Sequence, residues 1–310
     1  METSRRYKVV VPIGCRSDRG LTEPIIEELE RIDIFDIVVV NLIPDDPFMS
    51  RIMMRDACKD AHIAVCVADR HEMLAAAMTA FEMGVPIAHV YAGILNTLGT
   101  RDDIARHVIT LMSEIQFCES EQAKNITTST MQRLGLKANA HHVGITHFDK
   151  YRIDDSMVVG TDYRVVLYNP VTRGTPAEAM RTTGMEVRRL CTMLDEEKIF
   201  TFLIGPNPDM GFDYSELIAR ADVFHPDLPR DKFLGLLCWA KEFITNSSSA
   251  IYEAPLLMKR KDAKITQVGI RNRGRSRGRF RTGASRRIAM RLKDYVTQRY
   301  VEKDVETPGN

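Results

Sequence analysis

The stretch "HIAVCVADRHEMLAAAMTAFEMGVPIAHVYAG", residues 62–93, decides the fold. Ile63 to Val67 are apolar without alternation, which is how a strand buried on both faces reads. Asp69, Arg70, His71 and Glu72 interrupt the run, and an alanine-rich segment of helix formers follows as far as Gly84. A second apolar strand, "VPIAHV", then ends in Tyr91, Ala92 and Gly93. Two buried strands joined by a helix lie parallel, because a parallel pair needs a crossover of about a dozen residues.

The same unit recurs on both sides. Upstream, "YKVVVPIG" (7–14) and "FDIVVVNLI" (35–43) read as strands, with helices at 21–32 and 50–61. Downstream come a helix at 102–113, a strand at 114–120 and a further helix. After "HHVGITHFDKYRIDD" the series restarts with strands at 163–171 and 199–205 and helices at 178–197 and 210–221. The segment 231–258 then reads as helix, strand, loop and the start of a helix. The expected fold is α/β, with two Rossmann-like doubly wound domains. Residues 1–155 form the first, 156–285 the second, and 286–310 a C-terminal helix and tail. The expected ligand site is an inter-domain cleft at the C-terminal strand ends.

Composition sets the class. The chain has 310 residues, 44% hydrophobic and 27% charged, with a net charge of +1, the profile of a soluble globular protein. Six scattered cysteines include no CxxC and no zinc spacing, which fits a reducing, cytoplasmic setting. No signal-peptide pattern and no membrane-length apolar run is present. GxGxxG after the first strand, GxxxxGK[ST], HExxH and GxSxG are all absent, so dehydrogenase, P-loop and serine-hydrolase chemistries have little support. His62, His141, His142 and His225 have no metal spacing and are read as packing or surface residues.

Four strand-to-loop junctions carry polar groups. In "GCRSDRG" (14–20), a glycine turn with Arg16 and Arg19 reads equally as a phosphate cradle or as a solvated turn. In "ADRHE" (68–72), Asp69 and Glu72 sit where carboxylates cap a helix. In "RDDIARH" (101–107), Asp103 and His107 share a helical face, with Asp102 and Arg106 on the adjacent stripe. These groups suit acid/base chemistry if they face a ligand, and a solvated first turn if they do not. In "NSSSAIYEAP" (246–255), Asn246 leads into Ser247, Ser248 and Ser249, with Glu253 further on in a helix. Hydroxyls there suit phosphate oxygens, and serine-rich caps also occur without a ligand.

In combination these stretches resemble the UDP-N-acetylglucosamine 2-epimerases, in particular the hydrolysing, sialic-acid-pathway branch. The similarity runs in order through "GCRSDRGLTEPIIEELE", "ADRHEMLAAAMTAFEMGVPIAHVYAG", "GTRDDIARHVITLM", "NPVT", "PNPDMG", "ITNSSSAIYEAP" and "VGIRNRGR". The resemblance implies a GT-B-type fold and cleavage of the anomeric C–O bond to UDP, without cofactor or metal. It implies that Arg16, Arg106, Asn169, Asn246, Ser247, Ser248, Ser249, Glu253, Arg271 and Arg275 bind the UDP-sugar. Asp69, Asp102, Asp103, His107 and Tyr91 stand at the catalytic positions.

Three residues depart from the pattern. Tyr91 stands where the family has a glutamate, Asn169 replaces the histidine of HPVT, and Ala68 replaces the glycine of GDR. A phenol with pKa about 10 is a poor base. Arginine also occupies every second position from 271 to 281 and recurs at 286, 287 and 291, more than a nucleotide requires. Three functions follow as expectations: the epimerase reaction, transfer from a UDP-sugar to an acceptor hydroxyl such as a hydroxylated base in DNA, or UDP-sugar binding alone. The expected partners are a UDP-sugar, a second copy in a homodimer, and a polyanionic acceptor such as DNA along Arg271–Arg291.

Overall fold

The computed structural model describes residues 5–14, 16–43, 46–95, 101–206, 211–273 and 280–305. By packing, the chain forms two units. Unit 1 comprises Met1–Leu95, Asp102–Lys150 and Phe280–Asn310, and unit 2 comprises Asn96–Arg101 and Tyr151–Arg279. The first boundary thus falls at Lys150/Tyr151, and the return to unit 1 comes at Phe280, before the residue 285/286 division read from the sequence. The physical reason is Asp149, whose carboxylate accepts the Ser285 N–H and hydroxyl, each at 2.7 Å, and draws that segment onto unit 1.

Unit 1 holds β1 (Tyr7–Ile13), α1 (Arg16–Glu30), β2 (Phe35–Asn41), α2 (Pro47–Ala57), β3 (Ile63–Val67) and α3 (His71–Glu82). It continues with β4 (Ile87–Val90), α4 (Asp102–Met112), β5 (Ile115–Cys118), α5 (Glu121–Arg133) and β6 (Ala140–His142). The strand order is β2-β1-β3-β4-β5-β6 and every pairing is parallel. Apolar side chains of β1, β3 and α3, such as Val10, Ala64, Met73 and Ala77, pack into one core and explain the unbroken apolar run of residues 63–67. Gly93 has φ +76, and a Cβ there would run into the Ala123 carbonyl, so glycine seats α5 against the end of β4.

Unit 2 holds β7 (Tyr163–Leu167), α6 (Pro176–Glu196), β8 (Phe200–Ile204), α7 (Ser215–Ile218), β9 (Val223–His225) and α8 (Arg230–Trp239). It ends with β10 (Glu242–Thr245), a 3-10 turn (Ser248–Ala250), α9 (Ala254–Leu257) and β11 (Lys264–Gln267). Its parallel order is β11-β10-β7-β8-β9. A capping box of Thr175 and Glu178 starts α6. The final helix, α10 (Ala284–Val305), packs with α1 on unit 1. Among the described residues no helix is long and apolar enough to cross a membrane.

The short strands β6, β9 and β11 lie outside the elements read from the sequence. Each has three or four half-buried or exposed residues, so none shows a continuous apolar run. The helix expected over 210–221 spans only Ser215–Ile218 among the described residues.

Candidate functional site

In each sheet the chain order reverses once, and at such a reversal the adjoining crossovers leave on opposite faces and open a crevice at the strand ends. In unit 1 it lies between β1 and β3, in unit 2 between β7 and β10. Three of the four polar junctions read from the sequence lie at these points, and the fourth, "RDDIARH", lies beside the first.

At the unit 1 reversal, Gly14 ends β1, and a Cβ there would meet the Asp18 carboxylate at 2.8 Å. Glu72 is buried, and its Oε1 accepts from Arg70 Nε at 3.0 Å. Arg106, buried in α4, donates to the Tyr91 carbonyl at 2.9 Å and pairs with Asp69. One guanidinium therefore ties the end of β3 and the end of β4 to α4. Asp102 and Asp103 sit half-buried in the first turn of α4, with His107 one turn later. Burial lowers the His107 pKa, Arg106 adds to the effect and Asp103 opposes it, so the imidazole is neutral at neutral pH.

His89 is buried beneath this cluster. Its Nε2 donates to the Ala68 carbonyl at 2.8 Å, while Nδ1 lies 3.0 Å from the Thr110 hydroxyl. Burial holds its pKa down to about 3. Ala68 itself has φ +68, the left-handed conformation that glycine adopts without cost. The glycine of the resembled motif has its physical explanation in that angle.

Tyr91 is expected at a catalytic position. It is 3% exposed and has φ +70. The phenol oxygen accepts the Thr146 N–H at 2.9 Å and lies 2.9 Å from Thr146 Oγ1 and 3.1 Å from His147 Nδ1. The two rings meet edge to face with centroids 5.7 Å apart. Burial pushes the phenol pKa well above its ordinary range.

At the unit 2 reversal, Asn246 and Asn169 form a two-bond latch. The Asn169 N–H donates to Asn246 Oδ1 at 2.8 Å, and Asn246 Nδ2 donates to the Asn169 carbonyl at 2.7 Å. Asn246 is among the residues expected to bind the UDP-sugar, and its side chain extends the β7–β10 pairing past the strand ends. Its carbonyl accepts from Asn272 Nδ2 at 2.9 Å. Ser247, Ser248 and Ser249 follow, half-buried, with 3.3 Å between the Ser247 and Ser249 hydroxyls. Glu253 is buried at the start of α9 rather than inside a helix, and Arg230 donates to it at 3.3 Å. Arg271, also buried, donates to the Pro170 carbonyl at 2.7 Å, which brings it to the end of β7.

Other expected residues are placed differently. Arg19 bonds Asn41 at 3.0 Å, at the end of β2 rather than at the reversal. The Arg16 side chain and the whole of Arg275 lie outside the described residues.

Residues absent from the sequence reading of the site include Thr146 and His147, in a stretch taken for a domain boundary, and Arg230, Arg70 and Glu186. Glu186 accepts from Tyr168 at 2.7 Å and from the Ile270 N–H at 3.0 Å, fixing the loop that carries Arg271. The available signal was charge inside apolar context, since a buried charge requires a partner. The partners are remote in sequence.

Residues 49–300 match the UDP-N-acetylglucosamine 2-epimerase family. The hydrolysing UDP-N,N'-diacetylbacillosamine 2-epimerase of Legionella pneumophila is 23% identical over 327 residues, covering 87% of this chain and 83% of that protein. The GDP/UDP-N,N'-diacetylbacillosamine 2-epimerase (hydrolysing) of Campylobacter jejuni is 27% identical over 233 residues, 69% of this chain and 58% of that one. Among solved structures, the Methanocaldococcus jannaschii UDP-GlcNAc 2-epimerase in complex with UDP-GlcNAc and UDP has a TM-score of 0.66 at 16% identity, covering 93% of this chain and 99% of that one. The fold is therefore of the GT-B type, and the chain belongs to the UDP-N-acetylglucosamine 2-epimerase family.

Proposed function

We propose that the protein binds a UDP-linked N-acetylated hexosamine and cleaves its anomeric C–O bond, releasing UDP and the free 2-epimer, as a hydrolysing 2-epimerase. The observation that carries this reading is the unit 2 reversal, where the Asn169–Asn246 latch sets the half-buried serines beside buried Glu253 and Arg271. Serine hydroxyls and a guanidinium suit a diphosphate, and a carboxylate suits the vicinal hydroxyls of ribose.

In the reaction a base takes the sugar C2 proton, the C1–O bond breaks to leave a glycal, and UDP departs with the bonding electrons. Water then adds at C1 and a proton returns to C2. We assign the proton transfers to Asp103, in the half-buried first turn of α4 with Asp102 beside it and His107 one turn on, while Asp69 pairs with Arg106. Tyr91 enters this reading as a positioning residue, since its hydroxyl is occupied by Thr146 and His147. A homodimer belongs to the same reading. It is supported by exposed Phe48, Ile52, Phe81 and Ile104 on neighbouring helices α2, α3 and α4.

The test incubates the protein with UDP-N-acetylglucosamine and with UDP-N,N'-diacetylbacillosamine, following UDP by a coupled assay and the sugar by NMR. Release of UDP with the free 2-epimer is the expected result. No release from either donor, or release only when duplex DNA with hydroxymethylated bases is added, overturns it, the second outcome in favour of glycosyl transfer.

A further inference from the structure

Unit 1 has a second concavity, of about 790 Å³, between α5, the edge strand β6 and the start of α10. It is separate from the reversal between β1 and β3, lying at the far edge of the sheet, about 10 Å and two strands beyond β4. Lys124, His141, Arg281, Arg286, Arg287 and Arg291 line it.

Both walls are held in place. Asp149 fixes the first turn of α10 through Ser285. On the other side, the Ile145 N–H donates to the Arg281 carbonyl at 2.9 Å, and Gly144 leaves room for that approach. Arg287 closes the floor by donating to the Val143 carbonyl from Nε at 2.8 Å and Nη2 at 2.6 Å.

The cations inside outnumber the carboxylates. Glu121 and Asp294 are the carboxylates of the lining, against Lys124 and four arginines. Glu121 already pairs with His142 at 3.0 Å and Lys124 at 3.5 Å. Among the described residues Arg281, Arg286 and Arg291 have no carboxylate within ion-pair distance. Burial lowers the Arg287 pKa, Arg281 adds to the effect and Asp149 opposes it. Burial likewise lowers His141, with Arg291 and Lys124 adding to it. Such a site gains from an anion that several cations share.

We propose that this groove binds a small ligand carrying two or more phosphate groups. Arg287 and Arg291 are one helical turn apart, about 6 Å along α10, so they can hold neighbouring phosphates from one side. The volume suits one ligand of nucleotide size. No Phe, Tyr or Trp lines the groove, which leaves no platform for the stacked bases of a single strand.

The test is calorimetric titration of the full chain with tripolyphosphate, with and without saturating UDP. Three variants are compared: Arg286→Glu with Arg291→Glu, Lys124→Glu, and Arg189→Glu, exposed on α6 of unit 2, as a control. Arg286 and Arg291 are exposed, so their replacement leaves the fold intact, which a thermal melt checks. The expected result is binding that persists with UDP present, weakens about tenfold or more in the double arginine variant, and is unchanged by Arg189→Glu. Exchange protection should appear at 121–124 and 284–291. No binding up to millimolar concentration, displacement by UDP, or an unchanged affinity in the double variant overturns the proposal. So does tighter, steeply salt-dependent capture of duplex DNA by the same residues, which would make the groove a nucleic-acid surface.

Discussion

The Tyr91 phenol and the Thr146 backbone meet through one hydrogen bond of 2.9 Å, and it spans β5. Tyr91 ends β4 and Thr146 follows β6, so this single oxygen ties together strands that do not touch. Replacing Tyr91 by Phe leaves the buried Thr146 N–H without its phenol acceptor. The expected loss is about 1–3 kcal/mol of stability in urea denaturation, with UDP release per folded molecule changed by less than about twofold. A large fall in turnover with unchanged stability would instead make the phenol a chemical participant.

Ala68 and His89 share a bond between the Ala68 carbonyl and His89 Nε2, and Ala68 makes it from the left-handed region. Ala68→Gly should therefore stabilise the protein by up to about 1 kcal/mol, because relief of the Cβ clash outweighs the added chain entropy. The readout is a rise in melting temperature, and a fall would contradict the angle.

Buried Arg106 bonds both Asp69 and Tyr91, so truncation leaves the half-buried Asp69 carboxylate without its guanidinium. Arg106→Ala should cost about 3–5 kcal/mol. Asp103→Asn, on a half-buried first turn, should leave the melt within about 0.5 kcal/mol while lowering UDP release by a factor of about 10²–10⁴. If Asp69→Asn abolishes turnover and Asp103→Asn does not, the roles assigned to the two aspartates are reversed.

Asn246→Ala removes both bonds of the latch, so the Asn169 N–H and carbonyl lose their Asn246 partners. We expect a loss of about 2–4 kcal/mol and weaker UDP binding by calorimetry, because the serines lose their base. Asn246→Asp keeps the acceptor for the Asn169 N–H, and should recover part of the stability but not all of it.

His89 gives a pH prediction with a definite sign. Burial lowers its folded pKa from 6.5 to about 3, so between these values the unfolded chain takes up a proton that the folded chain refuses. The stability is fully present above about pH 6.5 and is lost as pH falls toward 3, at up to about 1.4 kcal/mol per unit. His89→Gln should flatten that limb relative to the parent in urea melts at pH 7, 5 and 4.

The two parallel sheets were legible because strands buried on both faces write unbroken apolar runs, as at 63–67 and 165–168. The edge strands β6 and β11 were not, since half-buried residues such as His141 and Ile265 carry no such run. The aspartates of α4 were legible from their spacing. Glu253 was found by its motif, but its partner Arg230 was not, because an ion pair 23 residues apart leaves no local periodicity.

Local sequence, then, determined the strands, the helices and the polar strand ends, because burial period and helix propensity act over a few residues. Only the tertiary structure decided which groups those polar ends meet. Tyr91 reads as standing at a catalytic position, and in the folded chain Thr146 and His147, from the loop after β6, bond its hydroxyl. Asn246 reads as a ligand contact, and in the folded chain Asn169 meets both ends of its amide. A side chain's chemistry is set by which buried groups compete for it, and those groups meet only once the chain has folded.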